Sequence, residues 1–277
     1  MYTLCQSCVQ HGDGGKWYLN TNNYAMKMYK LRKKEVQRKG AEANPQTMAE
    51  DLIKEAIEAR ALRPDNFPML KRRAEQLSLA VHFGQVVTLQ EVQAIMDIAY
   101  PIARMTCACR RQVRGMKDRD NFYCMGLGVG MFKWERWPET YRGGVEFLTP
   151  QEAKEWLAEI NKKGMVHTFW TFGTPYIGGI CNCEYPVCLG IRNRLDFDIH
   201  VLRKGEYYAV VNQELCSGCG RCLERCQFGA VKFEVSRSKA IIDAQKCFGC
   251  GLCQTTCKNN AITLVDRNVS PLTASLW

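Results

Sequence analysis

No apolar run in this chain is long enough to cross a bilayer, and its start reads as neither a secretory nor a twin-arginine leader. The chain is therefore expected to be soluble and cytoplasmic, a setting that disfavours a disulfide framework. No phosphate-cradling P-loop and no nucleophile–base–acid pattern occurs either. Gly126-x-Gly128-x-Gly130 is the nearest approach to a dinucleotide fingerprint, and it fails because no strand–helix–strand pattern flanks it. What the chain has in excess is cysteine, sixteen in 277 residues. In a reducing compartment so many thiols point to metal.

Half of those cysteines fall in one stretch near the C-terminus. It reads Cys216-x2-Cys219-x2-Cys222-x3-Cys226 and then Cys247-x2-Cys250-x2-Cys253-x3-Cys257. Three thiolates two residues apart let a tight loop wrap three corners of an iron–sulfur cube. The fourth, three residues on, is expected to open a short helix that points at the neighbouring cube. The spacing assigns Cys216, Cys219, Cys222 and Cys257 to one [4Fe–4S] cluster, and Cys247, Cys250, Cys253 and Cys226 to its mate. A pair of zinc ribbons is the competing reading. Zinc sites use two C-x2-C pairs set well apart, not four cysteines within eleven residues.

The flanks agree with the cluster reading. Tyr207–Val211, Ala230–Phe233, Ala240–Asp243 and Ala261–Leu264 are short β-rich runs, and Gly218, Gly220, Gly249 and Gly251 allow close backbone approach to sulfur. The segment resembles the two-cluster bacterial ferredoxins over the last quarter of the chain. It departs from them where Gln227 and Lys258 stand in place of the proline that usually follows the fourth cysteine. Lys258, Arg221, Arg225 and Lys246 put positive charge near the clusters, which is expected to raise their potentials.

The formal charge of +10 invites a nucleic-acid or acidic partner. Each oxidised cube with four thiolates carries about −2, so two would bring the total to about +6 and four to about +2. Charge alone is thus a weak argument for DNA, and nucleic acid is not the expected partner.

Residues 1–23 hold Cys5-x2-Cys8 with His11 nearby, half a metal site or two idle thiols. Residues 24–40 look helical and carry Lys27, Lys30, Arg32, Lys33, Lys34, Arg38 and Lys39, a solvated face or a docking patch for an acidic redox partner. Three helices follow. Thr47-x-x-Glu50 opens the first, with Leu52, Ile53, Ala56 and Ala59 inward and Arg63-Pro64 after it. The second runs about Pro68–Phe83, with Leu70, Ala74, Leu77 and Val81 inward and Gly84 after its end. Thr88-x-x-Glu91 opens the third, whose stripe is Val92, Ile95, Met96 and Ala99. A further cap at Thr149-Pro150-Gln151-Glu152 starts a helix with Ala153, Trp156, Leu157 and Ile160 buried, and Val166–Phe172 alternates like a strand. His82, Met96, Met105 and His167 read as packing residues.

The remaining cysteines, Cys107, Cys109, Cys124, Cys181, Cys183 and Cys188, fall in what read as loops. C-x-C pairs suit two corners of one metal site on a tight turn. With Cys5 and Cys8 they number eight, as many as two further cubes need, so one or two more clusters are expected and the total is three or four. Zinc stays open here. The preferred grouping sets Cys107, Cys109 and Cys124 near the 181–188 loop.

Cys107-x-Cys109-Arg110, the Gly164-x-Val166-His167 step, Ile180-Cys181-Asn182-Cys183 and the double cluster motif together resemble a family of multi-cluster 4Fe–4S ferredoxin-like proteins of anaerobic bacteria and archaea. The resemblance covers residues 85–267. It implies an electron-transfer component of a larger oxidoreductase complex, with substrate chemistry done elsewhere. The expected fold is α+β: an extension over 1–45, a mostly helical domain with cysteine loops over 46–205, and a dicluster ferredoxin domain with a tail over 206–277. Two other functions stay open. One is an enzyme with its own substrate site at an incompletely ligated cluster near Cys181–Cys188 and His167. The other is a redox-sensing DNA-binding regulator.

Overall fold

The computed structural model describes residues 16–19, 24, 45–80, 84–115, 122–128, 130, 144–171 and 177–276. Cys5, Cys8, His11 and the basic residues between 27 and 39 lie outside them. The architecture is α+β.

Helix α1 (Pro45–Leu62) and helix α2 (Phe67–Ala80) form a hairpin. Helix α1 begins two residues before Thr47, so Thr47 lies within it and does not cap it. Ile53, Ala56, Ala59, Leu70 and Ala74 are buried as their spacing implies, and Pro64 follows the end of α1.

The chain then departs from the helical reading of the middle segment. Gly84 starts strand β1 (Gly84–Val87), the first of a seven-stranded sheet, while Val81, His82 and Phe83, expected at the end of the second helix, lie outside the described residues. Helix α3 (Leu89–Met96) follows. Its Thr88 hydroxyl accepts the Glu91 N–H while the Glu91 carboxylate accepts the Thr88 N–H, the reciprocal cap the sequence announces. Strand β2 (Ile102–Thr106), helix α4 (Ala108–Arg114), strands β3 (Phe122–Leu127) and β4 (Val145–Leu148), and helix α5 (Pro150–Lys162) come next. Thr149 and Glu152 cap α5 in the same way. Strands β5 (Val166–Trp170) and β6 (Gly179–Cys183), helix α6 (Leu189–Leu195) and strand β7 (Leu202–Arg203) complete the layer.

The strand order is β4-β2-β3-β6-β5-β1-β7, antiparallel throughout except for the parallel β1–β7 edge. Helices α3 and α5 cover one face, packing Val92, Ile95 and Leu157 on Val87, Met125, Phe169 and Ile180. Helices α1, α2 and α6 cover the other, packing Ile53, Leu70 and Ile191 on Val86, Val166 and Trp170. The Trp170 indole lies against Gly84 and Gly190, where any Cβ would collide with it. Gly84 is thus a packing requirement of the sheet.

The C-terminal part has two small two-stranded sheets. Strand β8 (Tyr207–Val211) pairs antiparallel with β11 (Ile262–Asp266), and β9 (Val231–Glu234) with β10 (Lys239–Ile242). Between them stand two five-residue helices, α7 (Arg221–Arg225) and α8 (Leu252–Thr256). Phe228, Phe248 and Leu252 from this part enter the same core as Val86, Trp170 and Ile191, so the two parts share a buried contact.

Candidate metal centres

The two halves of the C-terminal part repeat one local design. A loop with two cysteines leads into α7 or α8, the helix carries the third, and the fourth, Cys226 or Cys257, ends the helix in an extended conformation and does not open one. Four residues later a backbone amide turns back on that sulfur. Ala230 N–H donates to Cys226 Sγ at 3.3 Å and Ala261 N–H to Cys257 Sγ at 3.4 Å, while Ala209 N–H donates to Cys247 Sγ at 3.4 Å. Such donors are what the sulfurs of a thiolate-bound centre require. The loops need glycine at defined places. Gly218 and Gly249 take positive φ (69° and 72°), and a Cβ would collide with the carbonyl oxygens of Ser238 and Tyr207 respectively.

The halves exchange their fourth cysteines. Cys216, Cys219, Cys222 and Cys257 line one cavity of about 200 Å³. Cys226 instead lies among Cys247, Cys250 and Cys253, close enough to act electrostatically on each of their thiols. The two quartets differ in exposure. Cys219 is exposed, and the Arg221 N–H holds its thiol below the ordinary value. Around the second quartet burial pushes the Cys250 thiol up to about 12. Phe228 and Phe248 stack at 4.1 Å in the core that flanks this quartet.

A buried cation serves this end. Arg267, absent from the residues singled out in the sequence, is fully buried and donates to the carbonyls of Gly205 (3.0 Å), Tyr207 (2.7 Å) and Cys247 (2.9 Å). Among the described residues no three His, Cys, Asp or Glu side chains converge so as to hold a single metal ion. Quartets of thiols with amide donors around a cavity fit a larger guest, and a four-iron cube bound by four thiolates is such a guest.

The other six cysteines are brought together from separate stretches. Cys124 on β3 stands opposite Cys181 on β6, with their sulfurs 4.0 Å apart. Cys181 and Cys183 project from the same face of β6, two residues apart along the pleat. Cys107 leaves the end of β2 as the N-cap of α4, and its thiol is within hydrogen-bonding reach of Cys109, Cys124 and Cys183. Cys188, the N-cap of α6, reaches Cys183, and the Leu189 N–H donates to Cys109. The C-x-C pairs therefore sit on a strand and at a helix start, not on the tight turns expected. The Cys107 contact, followed by burial, pushes the Cys109 thiol well up.

Arg110 adjoins these thiols and is 2% exposed. Its guanidinium lies 3.7 Å over the Tyr123 ring and donates through Nη2 to Glu184 Oε1 at 3.1 Å. Arg114 also reaches that Glu184 oxygen, at 2.9 Å. Nothing but its position beside Cys109 marked Arg110 in the sequence.

His167 is fully buried with both ring nitrogens engaged: Nδ1 lies 2.6 Å from Asn182 Oδ1 and Nε2 3.1 Å from Asn161 Nδ2. Asn182 accepts, so Nδ1 carries the proton and Nε2 accepts from Asn161. Burial lowers its pKa to about 4, against the opposing Asn182 bond. It is a neutral structural histidine, with no nitrogen left for a metal or a substrate.

With this geometry in view, the comparisons with known proteins concern the C-terminal part. Residues 208–263 match the family of 4Fe-4S dicluster domains. No curated protein matches the chain. No helix among the described residues is long and apolar enough to cross a membrane.

Proposed function

We propose that this chain is an iron–sulfur electron-transfer subunit. It would relay single electrons through two C-terminal [4Fe–4S] clusters and one or two further N-terminal clusters to a partner enzyme within a cytoplasmic oxidoreductase complex. Cys216, Cys219, Cys222 and Cys257 would hold one cluster, and Cys247, Cys250, Cys253 and Cys226 the other. The observation that carries the reading is the exchange of Cys226 and Cys257 between two quartets inside the segment that matches the dicluster family. When bound, each cluster supplies reversible one-electron storage with no open coordination position.

The residues of the chain do the rest. Thiolates fix each centre, the amides of Ala209, Ala230 and Ala261 disperse its negative charge, and Phe228, Phe248 and Leu252 keep water from the second. The exposed first quartet is the side for exchange with a partner. Arg221 and Lys258 border it and would steer an acidic surface toward Cys219. Arg225 is not free for that role, because it donates to the Lys162 carbonyl at 2.7 Å.

Iron and acid-labile sulfide counts on anaerobically purified chain test the reading, with at least about eight of each expected. Reduction of the chain by an acidic ferredoxin-type donor should slow as ionic strength rises. A chain loaded with zinc, or one that accepts no electrons, would defeat the proposal.

A further inference from the structure

Of the fourteen cysteines among the described residues, six lie outside the C-terminal quartets, and all six occupy one nest on the face of the sheet. They come from three regions of sequence, and the strand order sets β3 beside β6 so that they meet. Cys107 touches thiols from its own turn, from β3 and from β6. Cys124 also meets Cys181 and Cys183 meets Cys188, so any division of the six into two sites separates thiols that are in contact. Spare buried thiols are common one at a time; six in contact are a donor set.

The charge around the nest points the same way. Arg110 and Arg114 share one carboxylate, Glu184, so the trio carries one positive charge in excess, and Arg110, next in sequence to Cys109, is buried over the Tyr123 ring. Its Nε is buried without a partner. A cation so placed calls for a second anion, which a thiolate-bound iron–sulfur centre supplies.

The nest also has a defined neighbour. Cys181, Cys183 and Cys188 share one core with Phe228, Phe248, Cys226 and Cys250. The Tyr185 N–H donates to Gln227 Oε1 at 2.7 Å, which ties the Cys183–Cys188 turn to the residue after Cys226. Cys216, Cys222 and Cys257 do not enter that core; they share another with Cys226, Cys247 and Cys253, so Cys226 stands in both.

We propose that Cys107, Cys109, Cys124, Cys181, Cys183 and Cys188 are one ligand set for a single iron–sulfur centre, seated against the second quartet, and not parts of two separate cubes. The proposal rests on the electron-transfer reading but fails separately from it. In full-length, anaerobically purified protein, iron should exceed the roughly eight that the C-terminal quartets require. A Cys5→Ser/Cys8→Ser variant should keep all of that iron. A Cys107→Ser/Cys183→Ser variant should fall back to about eight irons, with a third reduced-state electron paramagnetic resonance signal lost. Loss of about four irons in the Cys5/Cys8 variant would show two cubes and overturn the single set. Zinc in the nest, or no iron beyond about eight, would overturn it as well and leave the C-terminal relay standing. For the placement, Cys250→Ala should narrow the third signal by removing a coupled spin, and Cys219→Ala should leave it unchanged; the reverse pattern defeats the placement. A fully loaded chain that exchanges no electrons with any external donor would sink the relay and spare the ligand set.

Discussion

Glu206 offers a prediction whose sign and size both follow from the structure. Its side chain is 7% exposed, between the sheet and the C-terminal part, and accepts from Gln85 Nε2 at 2.9 Å. Burial lifts its carboxyl from the ordinary 4.5 to about 7; the Gln85 bond opposes this and the nearby Glu91 adds to it. The folded protein therefore holds this proton over a range where the unfolded chain has lost it. Glu206 has its most favourable effect on stability below pH 4.5, loses it progressively as pH rises toward 7, and changes little above that. The full loss comes to about 3 kcal/mol, and the part falling between pH 6 and 8 to about 1 kcal/mol. Glu206→Gln keeps an oxygen for Gln85 and cannot ionise. Urea denaturation under anaerobic conditions at pH 6, 7 and 8 should show the variant gaining on the parent by about 1 kcal/mol across that range. With a denaturant slope of about 2 kcal/mol per molar, that is roughly half a molar in the midpoint. A difference that stays flat with pH, or grows toward acid, would refute the argument that this carboxyl is buried and keeps its proton up to about pH 7.

Three further outcomes follow from particular contacts. Arg267→Met strips three buried carbonyls of a charged donor, so it should cost about 3–5 kcal/mol and bleach the second cluster at lower denaturant; an unchanged midpoint would count against it. Gly249→Ala forces an alanine into positive φ against the Tyr207 carbonyl, costing more than about 2 kcal/mol, and it should lower the iron content by about four, whereas Ala in place of the exposed Ser217 should leave the iron unaltered. His167→Phe orphans Asn161 and Asn182, which should destabilise by about 2–4 kcal/mol without changing the iron count; iron loss from a variant that remains folded would instead make His167 a ligand.

The C-terminal part was legible because its information is local. A cubane loop is specified by cysteines within eleven residues, so Cys216–Cys226 and Cys247–Cys257 declare their loops, although the short helices end at the fourth cysteine and do not start there. The caps at Thr88 and Thr149 were legible for the same reason, since a side chain meets an amide three residues away. The sheet was not. Strand β1 is Gly-Gln-Val-Val with all four residues buried, so the alternation that betrays a half-buried strand is missing, and its glycine reads as a helix stop. Strands β3 and β6 read as cysteine loops for a related reason: Tyr123-Cys124-Met125 and Ile180-Cys181-Asn182 place small or polar residues where a core strand usually carries branched aliphatics.

The C-x-C spacing shows what sequence carries and what it leaves to the fold. Residues i and i+2 share one face of a strand, so Cys181 and Cys183 point together because β6 is pleated. At Cys107 and Cys109 the same spacing straddles the start of α4, and the pair meets because the N-cap residue and the first helical turn are close. Spacing alone therefore says that two thiols act together, but not with which others. That depends on strand order. With β3 between β2 and β6, Cys124 stands opposite Cys181 and beside the exit of β2, and Cys107 closes the gap between them. A single register slip of β3 would turn Cys124 to the face that holds Met125 and Phe169. The six thiols are thus gathered by the antiparallel ladder itself, and a substitution that loosened β3 from β6 should scatter them before it unfolds the C-terminal quartets.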